Sequence, residues 1–307
     1  MKTVEPITLT ALQIKKFIAE QRLSPDFDAI AQGHYLPLST WIGERLATRA
    51  PLLLGINGAQ GSGKSTLAEF ISFALAENSR ARVATLSIDD FYLSRGERER
   101  LARRVHPLLE TRGVPGTHDM RMLAACLDDL RNLTAGESLA LPRFDKATDD
   151  RADPTTWPIV SGPVELVILE GWCVGSVAQT EAELIEPINE LERVRDPDGR
   201  WRNYANEQLA GPYRELFEKL DALVFLAVPN FDAVYRWRVE QEHKLADTAD
   251  GRRIMDDAGV AEFIRHFERI SRANLVRMPK IADATLYLDD NHGCSRHVFP
   301  TQRSNSL

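Results

Sequence analysis

Four residues, Gly58, Gly63, Lys64 and Ser65, have the types and the spacing of a phosphate-binding loop, Gly-x-x-x-x-Gly-Lys-Ser. An apolar run at 52–56 precedes the pattern and a run with helical spacing follows it, which is the context such a loop needs. The glycines allow the backbone to curl until successive N–H groups point at phosphate oxygens, and the positive end of the following helix faces the same oxygens. The sequence therefore predicts a site for a nucleoside triphosphate.

The prediction covers the whole loop and the start of the helix after it. Lys64 would reach the β- and γ-phosphates, and the Ser65 hydroxyl would help to hold Mg²⁺. A glycine-rich turn that fits the pattern by chance is the alternative, and the flanking strand and helix argue against it. The residues predicted to bind the nucleotide are Gly58, Ala59, Gln60, Gly61, Ser62, Gly63, Lys64, Ser65 and Thr66.

Acidic residues follow two other predicted strands and could take part in phosphoryl transfer. Asp89 and Asp90 come at the end of the strand 83–88, where a carboxylate could accept the proton of an attacking hydroxyl. Glu170 closes the strand 164–169, which is the usual position of a Mg²⁺-associated carboxylate after a phosphate-binding loop. The alternatives are that Asp89 or Asp90 only caps a turn, and that Glu170 is a strand-end residue facing water.

The elements predicted around these residues alternate between strands and helices. The predicted strands are 52–56, 83–88, 164–169, 222–228 and 285–288. The predicted helices follow the phosphate-binding loop, run from 119 to about 130, begin near 230 and run from 260 to about 278. Near-continuous apolar strands that alternate with helices favour a parallel sheet covered on both faces. We therefore predict an α/β fold of the P-loop NTPase type, a doubly wound parallel sheet with helices on both faces.

The two ends of the chain are predicted to lie outside this nucleotide-binding domain. Residues 1–50 are expected to form a helical extension in two pieces, broken near Gly33 and Pro37, with Ser39 as a candidate cap of the second piece. The P-loop domain then covers residues 51–291. Residues 292–307 are expected to be a frayed tail.

Composition excludes several classes of partner. The formal net charge of −7 repels nucleic acid and anionic membranes. The N-terminus lacks the apolar segment of a signal peptide, and no apolar run reaches the roughly 18 residues of a membrane span. Cys126, Cys173 and Cys294 are far apart and form no Cys-x-x-Cys pair, and the histidines have no zinc-binding spacing. We expect a cytoplasmic protein without nucleic-acid or membrane partners, and the sequence predicts nothing about its oligomeric state.

Several short blocks resemble one family of P-loop kinases. They are Ser-Ile-Asp-Asp-Phe-Tyr at 87–92, Gly-Val-Pro-Gly-Thr-His-Asp at 113–119, Leu-Pro-Arg-Phe-Asp-Lys at 141–146, Asp-Arg-Ala-Asp-Pro-Thr-Thr-Trp at 150–157, Leu-Glu-Gly-Trp at 169–172 and Tyr-Arg-Trp-Arg at 235–238. With the P-loop they are similar to the D-glycerate 3-kinases and their bacterial and fungal relatives, which belong with the uridine kinases, phosphoribulokinases and bacterial-type pantothenate kinases. The resemblance implies a kinase that uses ATP and Mg²⁺ to phosphorylate a hydroxyl group, with D-glycerate as the expected acceptor.

The resemblance also implies roles for single residues. Asp89 aligns with the general base of the family, and Glu170 with the acidic residue at the end of the Walker B strand. Arg236 and Arg238 fall where these kinases have a helical lid, here about 232–258, although a solvated helix face explains either arginine equally well. The predicted catalytic residues are Lys64, Asp89, Glu170, Arg236 and Arg238, and the predicted metal ligands are Ser65, Asp89 and Glu170.

The acceptor is expected to be a small anionic molecule. Arginines in loops that contain proline or glycine are suited to it, because a guanidinium group can bind a carboxylate through two parallel hydrogen bonds. The residues predicted to face the acceptor are Asp90, Tyr92, Arg112, His118, Asp119, Arg143 and Lys146. His118 could equally be a helix-cap neighbour without ligand contact. Phe144 stands where plant-type glycerate kinases have tyrosine, a change expected to alter acceptor choice more than catalysis.

A second basic cluster is interpreted without a ligand. It consists of Arg95, Arg98, Arg100, Arg103 and Arg104. Glu97 and Glu99 are interleaved with it, so a mixed-charge helix in water explains the cluster.

Other functions remain compatible with a P-loop. Within the kinases, pantothenate and uridine are alternative acceptors. In a different class, the chain could be a nucleotide-binding regulatory protein without turnover, because a fold does not fix a function. A GTPase or an ABC-type ATPase is disfavoured, since the sequence has no Asn-Lys-x-Asp motif and no Leu-Ser-Gly-Gly-Gln motif.

Overall fold

The computed structural model of this protein describes residues 5–246 and 255–299. Within these ranges the strands are β1 (Leu52–Gly58), β2 (Val83–Ser87), β3 (Ser138–Ala140), β4 (Phe144–Asp145), β5 (Asp150–Arg151), β6 (Ile159–Ser161), β7 (Leu166–Gly171), β8 (Ala222–Ala227), β9 (Ala284–Leu288) and β10 (Cys294–Val298). The α-helices are α1 (Ala11–Glu20), α2 (Phe27–Ile30), α3 (Leu36–Leu46), α4 (Lys64–Ser79), α5 (Arg95–Arg104), α6 (Met120–Asn132), α7 (Glu181–Leu184), α8 (Glu190–Arg195), α9 (Arg200–Gln208), α10 (Arg214–Phe217), α11 (Phe231–Ala246) and α12 (Asp257–Ile281). None of these helices has the length and apolar character needed to cross a membrane.

The main sheet has six strands in the order β10-β9-β8-β1-β7-β2, and five of them are parallel. Short antiparallel pairs, β3 with β6 and β4 with β5, lie outside it. All residues of β1 and β7 are buried, as expected for central strands with helices on both faces. The α/β prediction and its parallel sheet are confirmed.

The two faces of the sheet are covered by separate apolar clusters. Leu54 and Ile168 pack into a cluster with helices α1, α3, α4 and α11. Their neighbours Leu53 and Val167 point to the opposite face and pack with α6 and α12. This alternation follows from the two-residue period of a strand. It fixes the register of both central strands, because a shift of either strand would reduce its apolar burial on both faces.

The helices before β1 pack onto the same face of the sheet as α4. Phe17 of α1 lies 5.2 Å from Phe70 of α4, measured between ring centroids, in an edge-to-face arrangement. The expected break near Gly33 is instead a π-helical turn, Ala31–Tyr35, that runs directly into α3. Ser39 therefore does not cap a helix, contrary to expectation: it lies inside α3, where its hydroxyl donates to the carbonyl oxygen of Tyr35 at 2.8 Å. The division of the chain into residues 1–50, 51–291 and 292–307 stays a prediction.

The C-terminal region differs from the expected frayed tail. Strand β10 pairs with β9 in the antiparallel sense, so backbone hydrogen bonds order residues 294–298 of the predicted tail, and residues 300–307 lie outside the described residues. The predicted lid, 232–258, is only partly described. Helix α11 covers its first part, and residues 247–254 lie outside the described residues.

Candidate active site

A cleft of about 550 Å³ opens at the carboxyl ends of β1, β2 and β7. Ligands of open parallel sheets bind at this edge, where loops and helix N-termini converge. The residues that line it are Gln60, Gly61, Gly63, Lys64, Ser65, Thr66, Ser87, Asp89, Tyr92, Arg112, Lys146, Glu170, Gly171, Trp172, Trp237, Arg238, Glu240, Phe263, Phe267 and His292. Most of the predicted nucleotide-binding residues thus share one cleft with several of the predicted catalytic and acceptor-facing residues.

The phosphate-binding loop joins β1 to α4, whose first residue is Lys64. Gly61 and Gly63 have φ angles of +76° and +84°, in the left-handed region that favours glycine. At Gly61 a Cβ atom would also lie only 3.0 Å from Cβ of Trp237. These two positions explain why the loop needs glycine where it curls and where α11 approaches it.

The Lys64 ammonium group lies inside the loop and donates to the carbonyl oxygen of Ala59 at 3.1 Å. Burial lowers the pKa of Lys64, while the nearby carboxylates of Glu170 and Asp89 raise it. The side chain is therefore a positive charge held among negative ones, in the position from which it could reach bound phosphates.

Glu170 is the penultimate residue of β7 and is 7% exposed. The Ser65 hydroxyl donates to its Oε1 at 3.0 Å. Strand register brings Asp89 to the same edge, because Ser87 of β2 pairs with Glu170 and Asp89 follows two residues later. A hydroxyl and two carboxylates are the oxygen donors that Mg²⁺ prefers, so these residues are chemically suited to hold it.

Asp89 accepts two side-chain hydrogen bonds. The Tyr92 hydroxyl donates to Oδ1 at 2.9 Å, and the Lys146 ammonium group donates to Oδ2 at 2.8 Å. Burial alone would raise the pKa of Asp89, but the attraction and hydrogen bond of Lys146 outweigh burial and lower the pKa to about 2. Asp89 is therefore ionised at neutral pH and able to accept a hydrogen bond from a hydroxyl group.

Asp90 and Arg143 pair with each other beside the cleft and are not among the residues that line it. Arg143 Nη1 lies 3.3 Å from Asp90 Oδ2, and the backbone N–H of Phe144 donates to Asp90 Oδ1 at 3.2 Å. Burial raises the pKa of Asp90, and Arg143 opposes this rise. The pair holds the strand β4 against the end of β2, and a contact of either residue with an acceptor stays a prediction.

His118 and Asp119 are also absent from the lining of the cleft. His118 is 4% exposed, stacks on Tyr92 and shares a 2.6 Å hydrogen bond between its Nδ1 and the Tyr213 hydroxyl. Asp119 is the N-cap of α6, where its Oδ1 accepts from the N–H of Met122 at 3.0 Å. The structure thus gives His118 the position of a helix-cap neighbour, packed behind Tyr92.

Burial of His118 is expected to make the protein less stable in mild acid. Burial lowers the pKa of the imidazole from 6.5 to about 4, so the unfolded chain binds a proton that the folded chain resists. The contribution of the neutral ring to the free energy of unfolding is therefore complete above pH 6.5 and is lost as pH falls toward 4. Between pH 7.5 and 5, the free energy of unfolding should fall by about 2 kcal/mol more in the wild type than in His118→Gln. Urea unfolding at both pH values measures this, and equal falls would contradict it.

The two predicted lid arginines occupy different surroundings. Arg238 lines the cleft and pairs with Glu242 on the same helix. Arg236 is not among the residues that line the cleft; its Nη2 lies 2.5 Å from Oδ1 of Asp290, and about half of its side chain is exposed. They are two positions apart on α11, a spacing that does not place two side chains on one helix face.

Sequence reasoning missed a buried arginine. Arg98 is fully buried, although we expected its whole cluster to be a solvated helix face. Its guanidinium group holds Asp149, with Nη2 2.8 Å from Oδ2, and Arg112 binds the same carboxylate. The spacing of Arg98 with Leu101 and Ala102, both buried, is that of one helix face and could have identified it.

Aromatic residues beside the loop were also not predicted as site residues. The rings of Trp237 and His292 stack with centroids 4.1 Å apart and an angle of 28° between their planes. Both line the cleft, and no spacing pattern links them because they are 55 residues apart, on α11 and in the turn between β9 and β10.

Comparisons with known proteins find kinases. The chain is 36% identical over 231 residues to the uncharacterized kinase mug58 of Schizosaccharomyces pombe, covering 71% of this chain and 78% of that protein. It is 31% identical over 253 residues to the chloroplastic D-glycerate 3-kinase of Arabidopsis thaliana, covering 76% of this chain and 52% of that protein. The chain thus spans about half the length of the Arabidopsis relative. No family model matches the chain.

A solved structure has the same fold. The D-glycerate 3-kinase of Cryptococcus neoformans var. grubii superposes with a TM-score of 0.71 at 23% sequence identity, over 86% of this chain and 98% of that one.

Proposed function

This chain belongs to the family of P-loop kinases that includes the D-glycerate 3-kinases, and we propose that it transfers the γ-phosphoryl group of ATP to a hydroxyl of D-glycerate. The observation that carries the proposal is one cleft lined by the P-loop with Lys64, by the ionised Asp89 and by Arg112. Such a cleft can hold a nucleotide's phosphates at one end and an anionic hydroxy acid at the other.

In the nucleotide half, the N–H groups of the loop and the Lys64 ammonium group bind and orient the phosphates. Ser65 and Glu170, already in contact, would hold Mg²⁺ with Asp89 nearby. When bound, Mg²⁺ neutralises negative charge on the phosphates. The stacked rings of Trp237 and His292 offer a flat surface beside the loop for the base of the nucleotide.

In the acceptor half, Asp89 accepts the hydrogen bond of the attacking hydroxyl and later its proton. Because Tyr92 donates to Oδ1 of Asp89, we assign the acceptor hydroxyl to Oδ2. Lys146 also binds Oδ2. Arg238 lines the same cleft and stabilises the charge of the transferred group. The partner is thus a small anionic molecule. The absence of nucleic-acid partners and the cytoplasmic location stay predictions from composition.

The test is Mg²⁺-dependent ADP release in a coupled assay against a panel of acceptors. The panel contains D-glycerate, L-glycerate, pantothenate, uridine and no acceptor. Turnover of about 1–100 per second with D-glycerate alone would support the proposal. Transfer to a different acceptor would show that D-glycerate is not the substrate, although the protein would still be a kinase. ATP binding without transfer to any of them would favour a regulatory protein.

Replacing Asp89 by asparagine is expected to lower kcat by about 10²-fold, the smaller end of a general base's contribution. The amide keeps the size and one oxygen acceptor but cannot take the proton. The dissociation constant of ATP, measured by calorimetry, should change less than about threefold. Because the pKa of Asp89 is about 2, its protonation should not lower kcat between pH 8 and 5. A wild-type kcat in Asp89→Asn would exclude Asp89 as the base.

A further inference from the structure

Three charged residues from separate segments form a connected set of ion pairs that ends at the wall of the cleft. Arg98 on α5 is fully buried and holds Asp149 through both carboxylate oxygens, at 2.8 and 3.3 Å. It also donates to the backbone carbonyl oxygen of Asp149 at 2.9 Å. Asp149 in turn binds Arg112, which lines the cleft.

Asp149 and the two arginines are held in place by further features of the structure. Asp149 has a φ of +57°, a left-handed conformation that a residue other than glycine keeps only where its surroundings determine it. The ring of Phe144 lies 5.7 Å from the guanidinium carbon of Arg98 and 5.6 Å from that of Arg112, within cation–π distance of both. Arg112 is therefore restrained by a carboxylate and by an aromatic ring.

The charges of Arg98, Asp149 and Arg112 do not cancel. Two guanidinium groups share one carboxylate, so the group carries a net charge of +1 where Arg112 meets the cleft. Two other cations near the acceptor half have acidic partners: Lys146 pairs with Asp89, and Arg143 pairs with Asp90. Arg112 is thus a position in the cleft wall at which an added anion would meet positive charge that is only partly compensated.

We propose that Arg112 binds the carboxylate of the acceptor, and that Arg98 and Asp149 are positioning residues that hold its guanidinium group toward the cleft. The inference rests on the proposed function, because it requires an acceptor with a carboxylate. A guanidinium group that is already oriented binds a carboxylate with little further loss of side-chain entropy.

The test compares D-glycerate with glycerol, which has similar hydroxyl groups and no carboxylate. In Arg112→Met, the ratio of kcat/KM for D-glycerate to that for glycerol should fall by about 100-fold, the upper range for a hydrogen bond to a charged group. In Arg98→Met and in Asp149→Asn, the KM for D-glycerate should rise by about tenfold, the lower end of the effect of the residues that orient metal ligands, which hold a binding side chain in a comparable way. In both, kcat and the KM for ATP should stay within about twofold of wild type.

Controls separate a positioning role from loss of structure. Arg103→Met removes an exposed arginine from the same helix and should leave the KM for D-glycerate unchanged. If Arg98→Met is unstable by thermal unfolding, Asp149→Asn decides, since asparagine tolerates the left-handed conformation.

The KM for D-glycerate in the two positioning variants and the activity of the wild type decide the remaining outcomes. An unchanged KM for D-glycerate in both positioning variants would refute the inference while leaving D-glycerate as the acceptor. A lower KM in Asp149→Asn would also refute it, because Asp149 would then only repel the acceptor. If the wild type does not phosphorylate D-glycerate, the proposed function fails, and the inference fails with it.

Discussion

The Lys64→Ala variant is expected to lose at least about 10³-fold in kcat with D-glycerate and ATP. In phosphoryl transfer the protein mainly positions reactants and neutralises charge, so the removal of a charge aimed at the phosphates acts on the transition state directly. The loss of one oriented donor commonly costs 10²–10³-fold, and here the donor is a full positive charge, partly desolvated beside Glu170 and Asp89. Coupled ADP release under saturating substrates measures the change.

A matched control removes a lysine of similar chemistry away from the cleft. Lys219 pairs with Asp128 on the surface, so Lys219→Ala should keep a kcat within about twofold of wild type. Thermal unfolding should give both variants a melting temperature close to wild type. A kcat for Lys64→Ala within tenfold of wild type would show that the loop does not hold the phosphates as inferred.

The Arg238→Met variant is expected to lose about 10³-fold in kcat, the lower end of the effect of an arginine that stabilises transferred phosphate. Arg238 lines the cleft, and burial lowers its pKa while Glu242 opposes the decrease, so its charge lies in a partly desolvated position where it acts strongly. Methionine keeps most of the length and apolar volume of the side chain. Single-turnover rates with bound ATP would report this loss separately from changes in nucleotide affinity.

Arg236→Met is the natural comparison, since the same substitution is made two residues away on the same helix. Arg236 pairs with Asp290 near the surface and does not line the cleft. We expect its kcat to stay within about threefold of wild type. Equal losses in the two variants would show that α11 changes position during the reaction, and equal retention would remove both arginines from catalysis.

The sequence predicted the elements that depend on local pattern. The P-loop, the strands around it and the strand-end position of Glu170 follow from short-range spacing, and the structure has them as expected. The resemblance of the blocks to D-glycerate 3-kinases agrees with the comparisons.

Features that depend on contacts between distant segments were not predictable from one sequence. Asp149 lies 51 residues from Arg98 and 37 from Arg112, and no local spacing signals that one carboxylate joins them. The pairing of Arg143 with Asp90 depends on the strand β4 folding back over the end of β2. Strand β10 was missed because an edge strand is recognised by its partner, β9, more than by its own short and polar sequence.

The hairpin of β4 and β5 carries both Lys146, which binds Asp89, and Asp149, which binds Arg112. Lys146 and Asp149 are three positions apart, whereas the P-loop and Glu170 belong to other segments. The proposed base and the proposed carboxylate site both depend on these contacts, so a change of this one hairpin would alter the two together. Exchange of residues 144–151 between related kinases is accordingly a short route by which evolution, or a protein engineer, could redirect phosphorylation to a new acid.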